Sequence, residues 1–270
     1  MKFMLKLLCI FGVLAVQQAA FAAVLIESKQ GNGSIDKVYI KGAQVRIDSS
    51  AEPGYVLINT DKGTMHAVNH TEKQIMDIGE AISQNKQEMP NKNKYNIKFT
   101  RKGSGPTIAG YSTTHYVVMV NGQKCSDEYT SKKMMNDLGV EKTFKKLMAM
   151  FKDLVPDMSG MMNQDPCMAA EQQISENYMK HGFPMRSVNK DGSLETEVVR
   201  IKKKASVPAG GFDFPKGYKM VDMSQMMQGM PAMPQMSPEQ MKAMENMDPE
   251  KMKQLMDQMM EEMKHMGKPQ

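Results

Sequence analysis

The chain has 270 residues, with 35 Lys and Arg against 30 Asp and Glu, and aromatics make up only 6%. Charges of both signs are interspersed, so no basic stripe of the kind that grips nucleic acid is present. Beyond the N-terminal segment every apolar run is broken by charge within about ten residues, short of the ~20 needed to span a bilayer.

Lys2 and Lys6 open the chain, residues 7–16 are apolar apart from Gly12, and Ala20-Phe21-Ala22 puts small residues at the two positions a signal peptidase reads. Residues 1–22 are therefore expected to be a cleaved secretory signal peptide, with the mature protein periplasmic or secreted. Cys9 lies inside the apolar run and ahead of the small-residue site, which argues against lipidation there. Cleavage leaves 33 basic and 30 acidic residues, close to neutral, and two cysteines, Cys125 and Cys167. In an oxidising compartment a disulfide between them is the economical reading, with two free thiols as the alternative. The bond would restrict the unfolded chain by roughly 4 kcal/mol.

From Val24 to Ile78, short β-branched and aromatic runs alternate with Gly, Pro, Asn and Asp, a strand-and-turn pattern. Strands are predicted at 38–40 and 44–48 around Lys41-Gly42, at 54–59, at 64–68 after Asp61-Lys62-Gly63, and at 73–78. A polar connection, 79–94, precedes further strands at 95–101, 115–120 and 124–130. The short links exclude the crossover helices of a parallel sheet, so the sheet is predicted to be antiparallel. From Ser131 the period changes: Leu138, Phe144, Leu147, Met148, Phe151, Leu154 and Val155 form one apolar helical stripe, ended by Pro156. A second short helix is predicted at 168–180, then a hairpin of 183–188 and 193–203 around Asn189-Lys190-Asp191-Gly192.

Three stretches carry a resemblance. Ile40-Lys41-Gly42 leads through Ile47-Asp48 to a hairpin over 59–78. Thr107-Ile108-Ala109-Gly110-Tyr111 leads into His115-Tyr116-Val117-Val118 and an Asn121-Gly122 turn. Gly182-Phe183-Pro184-Met185-Arg186 is followed by Glu197-Val198-Val199, then by Val207-Pro208 through Phe212-Asp213-Phe214-Pro215-Lys216-Gly217-Tyr218-Lys219. Over about residues 24–223 the chain resembles a family of secreted bacterial proteins of unknown function, related in fold to LolA-like periplasmic lipoprotein carriers. The resemblance implies an α+β fold: a curved antiparallel sheet, or half-barrel, with helices covering its concave face. In the carriers that space holds acyl chains. No matched set of acyl-contact residues is present, so no ligand-binding residue carries over.

The expected organisation is a signal peptide (1–22), a LolA-like α+β domain (23–219) and a Met-rich helical or disordered tail (220–270). No catalytic residues are assigned. His66 and His70 lie four apart on extended chain, roughly 13 Å, too far to share an ion. His115 alternates with strand residues and is expected to be packed or at the surface. Neither a phosphate loop, nor a serine elbow, nor a Cys-His metal spacing occurs.

Of the last 51 residues, 16 are Met. Met227, Met230, Met233 and Met236 stand three apart, and Met223 and Met226 extend the step. Thioethers suit Cu(I) or Ag(I), and His265 adds an imidazole, so these residues are candidate ligands for a soft ion. Met also serves adaptable apolar surfaces, and unselected low complexity remains open. Ser237-Pro238-Glu239-Gln240 and Asp248-Pro249-Glu250-Lys251 each pair an N-cap with Pro in the first turn, so two Met-faced helices are predicted to start eleven residues apart. Residues 220–234 are expected to be mobile. The function expected is non-enzymatic binding of a lipid or other hydrophobic ligand, with Cu(I) or Ag(I) sequestration by the tail as the alternative. Possible partners are an envelope protein or, through the tail, a membrane surface.

Overall fold

The computed structural model describes residues 22–79, 95–154 and 165–222. The first half of the sheet is a meander: β1 (Ala23–Gln30), β2 (Ile35–Lys41), β3 (Gln44–Ser49), β4 (Gly54–Asn59), β5 (Thr64–Asn69) and β6 (Gln74–Asp77). The second half comprises β7 (Ile97–Ser104), β8 (Thr114–Val120), β9 (Gln123–Ser131), β10 (Phe183–Asn189) and β11 (Leu194–Ala205). Between β9 and β10 lie α1 (Lys132–Leu138), α2 (Glu141–Leu154), α3 (Pro166–Ala169) and α4 (Glu171–His181). A last strand, β12 (Lys219–Asp222), closes the described chain.

Together the described strands make one open, curved sheet in the order β12-β6-β5-β4-β3-β2-β1-β11-β10-β9-β8-β7. The halves meet where β1 pairs antiparallel with β11. Neighbours are antiparallel as predicted, with one exception: β12 runs parallel to β6. A parallel neighbour needs a long return, and residues 206–218 supply it by crossing the sheet. Lys219 to Asp222 pair in register with Gln74 to Asp77.

Strand periodicity sorts side chains between two faces. On β3, Val45 is opposite Ile40 and Ile58 and fully buried, in the core with Ile26, Met65, Met134, Met135, Val140, Leu147, Met185 and Val198. That core lies between the sheet and helices α1 and α2. Arg46, one residue on, points to the other face, where the return segment lies.

The single helical stripe predicted over 131–155 is two helices. Gly139, in the left-handed region at φ 64°, caps α1. Its N–H donates to the Asn136 carbonyl and that of Val140 to Met135, which turns the chain into α2. Leu138 thus belongs to α1, and Met134 and Met135, outside the predicted stripe, are the residues α1 buries. Leu147 is buried in α2, with Phe144 and Phe151 half-buried beside it. Val155 and Pro156 lie outside the described residues, as do most of the 79–94 connection and residues 223–270. The second helix is likewise divided, into α3 and α4 at Ala170.

Candidate functional site

Three regions of the described chain place chemistry-bearing side chains together. The first is the helix-covered face of β1 to β5. Around its buried core lie Tyr111, Leu138, Phe144, Met150, Phe151 and Phe183, all only partly buried. The Phe144 and Phe183 rings meet at 4.9 Å between centroids. Gly182 lets β10 start here: a Cβ on it would sit 2.7 Å from the Lys132 nitrogen and the Ser131 carbonyl carbon. The result is an apolar rim between α2 and the sheet, rather than a face sealed by fully buried side chains.

The second region lies under α4. Cys125 of β9 and Cys167 of α3 are bonded, with Cα atoms 5.3 Å apart. Asp165 caps α3 by accepting from the Cys167 N–H at 3.0 Å, and it also pairs with Lys190 of the β10–β11 turn. These ties hold α4 over Val118, Val120 and Cys125. Beneath α4, Glu128 is 1% exposed. Its Oε1 accepts from Ser126 Oγ at 2.7 Å, and Ser187 Oγ lies 2.8 Å from Oε1 and 2.5 Å from Glu195 Oε2. One hydroxyl hydrogen on Ser187 cannot serve two carboxylates, so the second contact requires a proton on a carboxyl.

Burial pushes the Glu128 carboxyl up to about 7, against hydrogen bonds from Ser126 and Ser187, and Glu195 adds like charge. The Tyr178 hydroxyl also faces this carboxyl, although Oε2 has no hydrogen bond of standard geometry. Burial first, then Glu128, raises the Tyr178 phenol well above 10. Nearby, His181 stacks on Phe99 at 4.5 Å, and burial, then Lys132 and Lys180, lowers its pKa. Burial and the nearby Glu195 charge favour the protonated form of Glu128. The cluster escapes sequence reasoning because Ser126, Glu128 and Thr130 look like the solvated face of a half-exposed strand; only the placement of α4 buries them.

The third region is the strap of residues 206–218 on the opposite face. Arg46 donates to the Gly211 carbonyl at 2.8 Å, pairs with Asp48 at 2.8 Å, and lies 3.7 Å from the centre of the Tyr55 ring. Phe212 packs with Leu25 and Tyr39, Phe214 meets His66 at 4.8 Å, and Tyr218 bonds His70 Nδ1 at 2.8 Å. His66 and His70 therefore face separate strap aromatics, His66 with Asp77 also beside it at 3.4 Å. His115 bonds Asp127 at 2.7 Å and stacks on Tyr129 at 4.6 Å, a half-buried surface arrangement.

Among the described residues, no three of His, Cys, Asp and Glu gather as a metal-binding group, and no helix is long and apolar enough to cross a membrane. The candidate ligands Met223, Met226, Met227, Met230, Met233, Met236 and His265 lie outside the described residues, and so does the expected signal segment up to Phe21.

Residues 24–218, from β1 to the end of the strap, match a family described as a domain of unknown function, DUF4412. The chain belongs to the DUF4412 family. No curated protein matches it. The DUF4412 match ends at Tyr218, where the strap reaches His70, so the return segment is part of the family's domain and the Met-rich sequence follows it.

Proposed function

We propose that this DUF4412 protein is an exported, non-enzymatic binding protein whose helix-covered sheet face holds a lipid or other hydrophobic ligand, as in the LolA-like carriers it resembles. The observation that carries this reading is the apolar rim: Phe144, Met150, Phe151, Phe183 and Tyr111 surround the core yet stay partly exposed. A face closed by its own side chains would bury such residues fully, because each large apolar side chain left partly in water forgoes part of roughly 1.5 to 3 kcal/mol. The Cys125–Cys167 bond supports export, since such bonds persist in oxidising compartments. Fold resemblance alone assigns no ligand, so the reading rests on the rim.

Protein purified without detergent is expected to carry an apolar molecule detectable by native mass spectrometry and by solvent extraction. Phe144→Asp combined with Phe151→Asp should abolish retention while the far-UV spectrum stays unchanged. Wild-type protein that retains nothing and takes up no fluorescent fatty acid would refute the proposal.

A second reading, soft-metal sequestration, rests on the three-residue step of Met227, Met230, Met233 and Met236. Cu(I) titrated into the full chain under reducing conditions should bind with submicromolar affinity, and a Met-to-Leu tail should lose it. Equal binding by the Leu version would remove sulfur from the account.

A further inference from the structure

The tail begins where the sheet ends. Because β12 runs parallel to β6, Asp222 lies beside Asp77, which is opposite His66 near the start of β5. The turn leading into β5 holds Asp61, paired with Lys146 of α2. Thr143, one turn earlier on α2, donates to the Gly42 carbonyl of the β2–β3 turn at 2.7 Å. The chain therefore leaves the sheet at the end over which α2 lies. From β12 to the β2–β3 turn is four to five strand spacings, roughly 19 to 24 Å. Residues 223–237, extended, reach roughly 50 Å.

At that end α1 and α2 enclose an open groove of about 490 Å³, lined by Met135, Asn136, Gly139, Glu141, Lys142 and Lys145. Half-buried Met148 lies one turn beyond Lys145 on the same flank of α2. Lys145 pairs with Glu141 at 2.8 Å, so the groove sets two cations, Lys142 and Lys145, against one carboxylate. The tail has the complementary pattern. Met252, Met256, Met259, Met263 and Met266 recur at alternating four- and three-residue steps, one stripe of a helix, and residues 237–266 hold seven acidic against four basic side chains. The first capped unit, residues 237–247, would be roughly 16 Å long as a helix, within the roughly 21 Å of α2. Helices this short are marginal in water and need an apolar partner.

We propose that residues 237–266 fold back onto their own domain, their methionines filling the α1–α2 groove and their carboxylates facing Lys142 and Lys145. The tail is then a built-in occupant of that surface. This proposal does not depend on the ligand-binding reading, and its test uses protein stripped of lipid by solvent, so that the two can fail separately.

Hydrogen exchange of the full mature chain decides it. In wild type, the amides of α2 should exchange about tenfold more slowly than in a variant with Met252, Met256, Met259 and Met263 changed to Ser, or in Lys142→Glu/Lys145→Glu. Carbodiimide should link Lys142 or Lys145 to acidic residues of 237–266 within one chain, and both variants should lose the link. Identical exchange in all three proteins would overturn the proposal. So would cross-links that form only between chains in a mixture of isotopically labelled and unlabelled protein, or protection that appears only when Cu(I) or anionic vesicles are added.

Discussion

Strands β1 to β5 are covered on both faces, by α1 and α2 on one and by the strap on the other, whereas β7 to β11 are fastened by helices on one face and by ion pairs on the other. In the first half Arg46 is 5% exposed and bonds strap carbonyls, and Phe212 and Tyr218 join small apolar clusters with sheet residues. In the second half the face away from α4 carries His115–Asp127–Lys124 and Arg186–Glu197, all partly or well exposed. What replaces the strap there is covalent: Cys125–Cys167 ties α3, and through it α4, to β9. The difference teaches that one sheet can be secured by chain return in one half and by cross-linking in the other, and that the two should fail under different stresses.

The largest expected effect is on the cross-linked half. Cys125→Ser with Cys167→Ser should cost roughly 4 kcal/mol of stability in the entropic model. Denaturant unfolding of the oxidised wild type against the double variant measures it, and exchange in β7 to β9 and α4 should rise before exchange in β1 to β5. Uniform loosening of both halves would break the comparison.

A pH effect follows, of about 3 kcal/mol. The Glu128 carboxyl is pushed from its ordinary 4.5 to about 7 in the folded state. A raised folded value means that the native state holds the proton more tightly than the unfolded chain does. The stabilisation is therefore complete below pH 4.5, declines as pH rises through 7, and is absent above it. Glu128→Gln should flatten this decline, seen as equal denaturant midpoints at pH 5 and pH 7.5 after correction for the remaining groups. A decline that survives the substitution would place the titration elsewhere.

Loss of the strap anchor comes next. Arg46→Ala should cost about 2 kcal/mol, because hydrogen bonds from a charged donor and a ring contact disappear and the Gly211 carbonyl is left without its partner. Limited proteolysis should then cut residues 206–218 first. On the open face of the second half, Arg186→Ala removes a partly exposed pair with Glu197 and should cost less than about 1 kcal/mol. A larger loss there would show that the ion pairs secure the second half as firmly as the strap secures the first.

Much of the strand framework was legible in the sequence because period-two alternation and Gly, Asn and Asp turns coincide, as at Gly42 and Asn121-Gly122. The α1–α2 division was not, since Leu138 and Phe144 keep helical spacing across Gly139 and spacing alone does not register a left-handed residue. Residues 206–218 have neither period, so their crossing of the sheet and the parallel pairing of β12 had no signal beyond a distinctive aromatic and Gly pattern. Of the candidate site, Leu138, Phe144 and Phe151 were visible as a stripe. Their partners Tyr111 and Phe183 come from distant loops and strands that only the fold brings near.

The binding reading makes the most exposed claim, because it says where an apolar ligand sits. Photolabelling the protein with a diazirine-bearing fatty acid tests it directly. Labelled peptides should fall on α2 and on β10 around Phe144, Phe151 and Phe183, and lipid competitor should erase them. Labelling confined to the strap face near Phe214, or no competed labelling at all, would contradict the account.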